Sequence, residues 1–221
     1  MIVDSKSQSL EEMVYSRLEE EILSGELKRG ESLVEISLGK RLGVSRTPIR
    51  GALHRLSEEG LVEISPNRGA TVLGINVDDL VDIYRLRERL EGLASSLAAT
   101  RITNEEIKKL TEAVDLAEFY IKKNDTEHTK ELDTVFHSVI YKASGSRFLE
   151  RTLSELHRKI KAYRKLSLTV PGRLERTECE HREILEAIKE GDAEKADSLT
   201  SLHVRRALEN MLTAVNKENG D

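Results

Sequence analysis

Four residues in the second half of the chain carry side chains suited to a divalent metal. Asp133 and His137 stand four apart in DTVFHSVIYKASG, beside Phe136 and Ile140, so a helix would project both to the same inward side. His181 shares a helical stripe with Ile184, Leu185 and Ile188, and His203 shares one with Ala196, Leu199 and Ala207. Carboxylate oxygens and imidazole nitrogens are ligands for such ions, and burying them without a partner is costly. Taken one at a time, the same residues also fit hydrogen-bonded core histidines, and spacing alone leaves both readings open. A second set lies in GVSRTPIRGALHR, Gly43–Arg55. Arg46, Arg50 and His54 recur every four residues, opposite a stripe of Ile49, Ala52, Leu53 and Leu56. One face of that helix packs, while the other carries guanidinium forks able to grip phosphate or the O6/N7 edge of guanine. A merely solvated basic face has the same pattern.

The elements that must position these groups are mostly helical. Apolar positions Leu10, Met13, Val14, Leu18 and Ile22 predict a first helix that Gly25 ends, with a turn through Lys28-Arg29-Gly30. A short helix over Glu35–Leu42 follows, and Gly43 supplies a left-handed turn. Ser45 is expected to cap the next helix and Pro48 falls in its first turn. That helix stops near Gly60. Leu61–Ser65 and Ala70–Leu73 then read as two strands joined by the tight turn Pro66-Asn67-Arg68-Gly69. A helix-turn-helix followed by a hairpin is a winged DNA-binding arrangement, with Arg68 at the tip of the wing. Such a hairpin can also do no more than close a small core.

Leu73–Val77 is the expected boundary, with Gly74 as hinge and Asn76 as cap, dividing the chain into 1–74 and 75–221. Beyond it six helices are predicted. They cover about Val77–Ala99, Thr103–Lys123 with Thr103 and Glu106 as a capping box, Asp125–Ala143, Ser146–Leu168, Arg173–Glu190, and Gly191-Asp192 onward to Asn216. The fold class is therefore mainly α, a winged helix-turn-helix and then a helical bundle.

Composition agrees with that class. Across 221 residues aromatics reach only 4%, charged residues 34%, with no Trp and three Pro. The one cysteine, Cys179, excludes an internal disulfide and suits a reducing compartment. No basic-then-apolar leader opens the chain, and no apolar run approaches the ~20 residues of a membrane span. The expected location is cytoplasmic, with no membrane partner. The net charge of −5 argues against indiscriminate coating of nucleic acid. Between Ile36 and Gly69, however, Lys40, Arg41, Arg46, Arg50, Arg55 and Arg68 outnumber Glu58, Glu59 and Glu63. A locally basic surface on an acidic protein fits a site-specific binder.

The run LVEISLGKRLGVSRTPIRGALHRLSEEGLVEISPNRGATV resembles the DNA-binding domain of the GntR family of bacterial transcription regulators. The resemblance implies that Arg46, Thr47 and Arg50 contact DNA from the head of the helix and Arg68 and Gly69 from the wing, with His54 on the same face. Ile36 stands where relatives often carry a phosphate-binding Arg, which would leave Lys40 or Arg41 to make that contact. Gly51 stands where Glu is usual, at a cost of about 1 kcal/mol of helix propensity relative to Ala.

DTVFHSVIYKASG, EHREILEAIKEGDAEKA and SLHVRRAL resemble the effector (FCD) domain of the FadR-type branch of that family, over most of residues 77–212. One small departure is Ser146, a cap position where Asn is common. The resemblance implies that Asp133, His137, His181 and His203 bind a divalent ion, zinc first, with nickel or manganese as alternatives. Three His and one Asp leave octahedral positions open for water or a ligand carboxylate. Arg87, in RERLE and on a stripe with Leu80, Ile83, Tyr84, Leu90 and Ala94, is the expected anchor for a small organic acid. The competing role for Arg87 is a structural pair with Glu91, one turn along. His128 and His157 lack an inward pattern, and Cys179 has no expected ligand role.

The expected function is a homodimeric, ligand-responsive regulator on a palindromic operator. In the nearest alternative the metal is itself the signal, or only a brace. A metal-dependent hydrolase would need a positioned general base, and no HExxH-type motif supplies one. The chain is expected not to be an enzyme.

Overall fold

The computed structural model describes residues 9–65, 69–161, 163, 170 and 172–218. The chain divides into two compact units, Met1–Asp79 and Leu80–Asp221.

In the first unit, α1 (Leu10–Leu23) opens at Ser9, whose hydroxyl accepts the Glu12 N–H. Its buried Val14, Leu18 and Ile22 meet Ile49, Ala52, Leu53 and Leu56 of α3 (Arg46–Glu58) in one apolar core. Between them α2 (Glu35–Leu42) buries Leu38 and ends at Gly43 in the left-handed region. Ser45 occupies the N-cap of α3 as expected, but its hydroxyl makes no capping bond. The orphan N–H groups of that first turn are thus not satisfied by this side chain.

Strands β2 (Val62–Ser65) and β3 (Gly69–Val72) pair antiparallel, Val62 opposite Val72 and Ser65 opposite Gly69. The sequence reading missed a further strand. β1 (Ser32–Leu33) pairs with the other edge of β3, giving the order β1-β3-β2. Two residues are too few to display the period-2 alternation that identifies a strand. Gly69 has φ +91°, and a Cβ there would collide with the Leu33 carbonyl, so this close approach of β3 to β1 requires glycine. Pro66, Asn67 and Arg68, the expected turn and wing tip, lie outside the described residues.

The second unit comprises α4 (Val77–Arg101), α5 (Asn104–Lys122), α6 (Thr126–Ala143), α7 (Arg147–Lys159), α8 (Arg173–Lys189) and α9 (Ala193–Glu218). Side-chain caps open several of them, at Asn76, Thr103 and Ser146 as expected and at Asp125 besides. Asn76 and Asp79 bond each other's backbone N–H, Thr103 and Glu106 form a capping box, and Asp125 and Ser146 accept from His128 and Leu149 N–H. Most of the stretch expected to extend α7 to Leu168 lies outside the described residues. Leu110, Val114, Phe136, Ile140, Leu153, Ile184 and Ile188 form the bundle's core. Among the described residues no helix is long and apolar enough to cross a membrane.

The α4–α9 crossing is close and polar. Ser201 donates its hydroxyl to the Glu88 carbonyl (3.1 Å) and Thr200 donates to Ser95 Oγ (2.8 Å). A Cβ on Gly92 would strike Ser201 Oγ and Asp197 Oδ1. Gly92→Ala should therefore destabilise the protein by ~1–3 kcal/mol through overpacking, outweighing the ~1 kcal/mol that alanine adds to a helix. Urea unfolding measures the sign, and a stabilised variant would show that α9 yields freely.

Candidate functional site

In the first unit Arg46, Thr47, Arg50 and His54 are exposed on one side of α3. Arg46, Arg50 and His54 border a groove with Val34, Glu35, Ile36, Ser65 and Gly69. Glu35 is the residue the sequence reading missed, because the basic count began one position after it. Its carboxylate accepts from both guanidinium groups: Arg46 Nε (3.1 Å) and Nη2 (2.9 Å), and Arg50 Nε and Nη2 (both 3.1 Å). Those bonds, Arg50 first, hold the Glu35 carboxyl below its ordinary pKa. The signal that could have found it is its place at the head of α2, within reach of the turn that starts α3.

Other cations counted as basic surface are tied into the fold. Arg41 donates to the buried Glu21 of α1 (2.6 Å). Arg55 donates to Glu12 (2.6 Å) and stacks 3.8 Å over the Tyr15 ring. Of the two substitutes for the missing arginine at exposed Ile36, Lys40 thus has no ion pair among the described residues while Arg41 does. A Cβ at Gly51 would overlap the Glu11 carboxylate of α1, so glycine here makes room for a flexible side chain. Arg68 lies outside the described residues.

In the second unit α6 presents Asp133 and His137, α8 presents His181 and α9 presents His203, all buried. The rings of His137, His181 and His203 lie 4.8–5.3 Å apart, centroid to centroid. Each can offer a nitrogen such that all three lie within 4.8 Å of one another. Two ligands placed trans on an ion at ~2.1 Å would be about 4.2 Å apart, so only small shifts separate this arrangement from coordination. Asp133 Oδ1 is 3.8 Å from His137 Nε2 and 3.7 Å from His181 Nε2, and Phe136 stacks on the His181 ring at 3.9 Å.

Two further carboxylates orient the rings. Glu91 of α4 places a carboxylate oxygen 2.9 Å from His137 Nδ1, an ion-pair contact, and Glu180 of α8 accepts from His203 Nδ1 (2.7 Å). A carboxylate facing Nδ1 favours the proton on that nitrogen and leaves Nε2 as the ligand atom. His137 Nε2 is buried and has no hydrogen-bond partner among the described residues. Burial lowers the His203 pKa to about 4 against the opposing pull of Glu180, which keeps the imidazole neutral and able to coordinate. Glu180, despite burial, is held at about 2 by His203 and Arg173. Arg173 reaches both its oxygens at 3.0 Å, and Arg206 adds a bond at 3.1 Å. The donor set and the orphaned nitrogen fit a divalent ion.

Arg87 is 1% exposed and its Nε donates to Glu91 at 2.6 Å, the structural pair weighed above. Its Nη1 has no hydrogen-bond partner among the described residues. His157, which reads from sequence as an ordinary surface or core histidine, is buried. Its Nδ1 lies 3.3 Å from the Tyr141 hydroxyl, and its ring 5.5 Å from that of His137. Burial, then His137 and Arg87, push its pKa well below the usual value. His128 is exposed and pairs with Asp125 (2.7 Å), and Cys179 is exposed.

Comparison with known proteins accounts for both units. Residues 10–72 match the family of bacterial regulatory proteins, gntR family, and residues 82–206 match the FCD domain. The chain is 32% identical over 199 residues to the uncharacterized HTH-type transcriptional regulator YdhC of Bacillus subtilis, covering 89% of this chain and 88% of that one. It is 24% identical to the HTH-type transcriptional repressor RspR of Escherichia coli, covering 97% and 94% respectively. The solved structure of E. coli McbR/YncC superposes with a TM-score of 0.71 at 25% identity, covering 95% of this chain and 99% of that one. A helix-turn-helix with a wing, then a helical bundle, each with most of its length matched, make this chain a transcriptional regulator of the GntR family with an FCD effector domain.

Proposed function

We propose that this regulator binds a two-fold operator as a homodimer and that a divalent ion and a small carboxylate in its helical unit adjust the affinity. The observation that carries the reading is the cluster of three buried imidazoles beside Asp133, two of them held by anionic carboxylates. Asp133, His137, His181 and His203 would hold the ion, zinc being the first candidate. Such an ion supplies open Lewis-acid positions for a ligand carboxylate. Arg87, whose Nη1 has no hydrogen-bond partner among the described residues, would meet the other end of that ligand and orient it. On DNA, Arg46, Thr47, Arg50 and His54 would enter the major groove, with Gly69 and Arg68 following from the wing. The exposed Leu86 and Leu93, seven residues apart on α4, offer an apolar seam to a second copy. Ligand binding would then shift the population between dimer arrangements that space the two recognition helices differently.

The Arg87–Glu91 pair favours a second reading, because an arginine already neutralised is a weaker carboxylate anchor. In that version the metal alone is the signal, and operator affinity follows metal concentration with no organic acid present.

Elemental analysis of purified protein should find about one divalent ion per chain. Asp133→Ala with His137→Ala should abolish it while the winged unit still folds by circular dichroism, and stoichiometric metal in that variant would sink the ligand assignment. Glu180→Gln should weaken metal binding roughly 10–100-fold, measured by competition with a chromophoric chelator, because His203 exchanges an anionic acceptor for a neutral amide oxygen. Arg50→Ala should cost ~1–3 kcal/mol of operator binding if its guanidinium reads a base. Unchanged affinity in a mobility-shift titration would remove Arg50 from the interface.

A further inference from the structure

We infer that Glu35 is a specificity-determining residue that buttresses Arg46 and Arg50 as a pair of guanine readers. The inference rests on the reading above that these two arginines enter the groove. An arginine has five N–H donors on two usable edges, the Nε/Nη2 side and the Nη1/Nη2 end. In both residues the Nε/Nη2 side is turned onto the Glu35 carboxylate, Arg50 spanning its two oxygens and Arg46 converging on one. Among the described residues, what remains free on each is the end edge, the planar pair of donors that matches guanine O6 and N7.

The two arginine side chains are 61% and 59% exposed, against 19% for Glu35. Without the carboxylate they would be mobile cations, free to take any phosphate. With it they share one anchor, and their planes are set before DNA arrives, so less side-chain entropy is lost on docking. The carboxylate also subtracts one charge from the face, which lowers its attraction for phosphates of any sequence. Both effects favour specific over general binding.

Glu35 also begins α2, where an acid suits the positive end of a helix. Aspartate would keep that role and the charge but, one methylene shorter, would not reach both guanidinium groups in the same geometry. The pair Glu35→Gln and Glu35→Asp therefore separates buttressing from helix support and from charge alone.

The test uses full-length protein and an operator selected with it from a random duplex pool, with affinities measured across a salt series beside a scrambled duplex. Glu35→Gln should bind the scrambled duplex more tightly, with a salt slope steeper by about 1, while operator binding weakens. The ratio of the two affinities should fall roughly tenfold or more. Glu35→Asp should lose operator affinity without gaining on the scrambled duplex. Repeating the selection with Glu35→Gln should relax guanine preference at the positions that Arg46 and Arg50 face. An unchanged ratio in Glu35→Gln, or equal gains on both duplexes, overturns the inference, since Glu35 would then be a spectator or a competitor for DNA. Arg50→Ala serves as the control: if it too leaves operator affinity unchanged, the underlying interface reading fails instead.

Discussion

A carboxylate taken out of water must find a counter-charge or a polar donor group, and in the helical unit Glu91 has an arginine on one side and an imidazole on the other. At 1% exposure it lies 2.6 Å from Arg87 and 2.9 Å from His137, the one on its own helix and the other on α6. Removing any member would leave a charge or donor stranded in a low-dielectric interior, which is far costlier than the pair's net worth. Burial opposes the ionised form of Glu91, yet Arg87 and His137 hold its pKa well below the ordinary value. The arrangement therefore fixes which nitrogen of His137 carries the proton. Glu180 does the same for His203 from α8, with Arg173 and Arg206 as its counter-charges. His137 and His203 are thus each faced by a buried carboxylate, and each carboxylate is in turn held by arginine.

The helices were legible in the sequence because several independent local signals agreed: apolar stripes, capping residues and glycine stops. The four inward ligand candidates were legible for a related reason, since a polar residue among apolar neighbours on one helical face is conspicuous. Glu180 was not, since an acid on a helix normally reads as solvent-facing and only its tertiary partners bury it, and Glu91 was legible as a partner for Arg87 but not as a neighbour of His137. His157 escaped for the same reason, lying on a helix whose buried residues include just Leu153 besides itself. β1 escaped because two residues carry no periodicity. Arg87 was legible as inward, and the structural pair considered for it is present at Nε on Glu91, while Nη1 has no hydrogen-bond partner among the described residues.

On the winged unit the lesson concerns counting charges. The basic stretch looked like a patch of six cations, but Arg41 and Arg55 serve α1, and Arg46 and Arg50 share a single anion just outside the counted window. Net charge along a segment measures composition, whereas the potential that DNA meets depends on which charges are already paired. The shape is more secure than the charge. Gly69 sets the wing against β1, and the apolar stripe of α3 sets its outward face, whichever cations are free at any moment.

The segment between β3 and α4 carries a consequence of its own. Leu73 and Gly74 both donate their N–H to the Leu61 carbonyl, Ile75 packs against the first unit's core, and Asn76 closes the reciprocal cap with Asp79. Every residue of the connection is therefore engaged. Proteases cut where several consecutive residues can be drawn out and extended into an active-site cleft, and loop tips usually provide that slack. Here slack would have to be made by first breaking a cap, two backbone bonds and an apolar contact. The division between the units, plain in the fold, is one that a digesting enzyme would pass over.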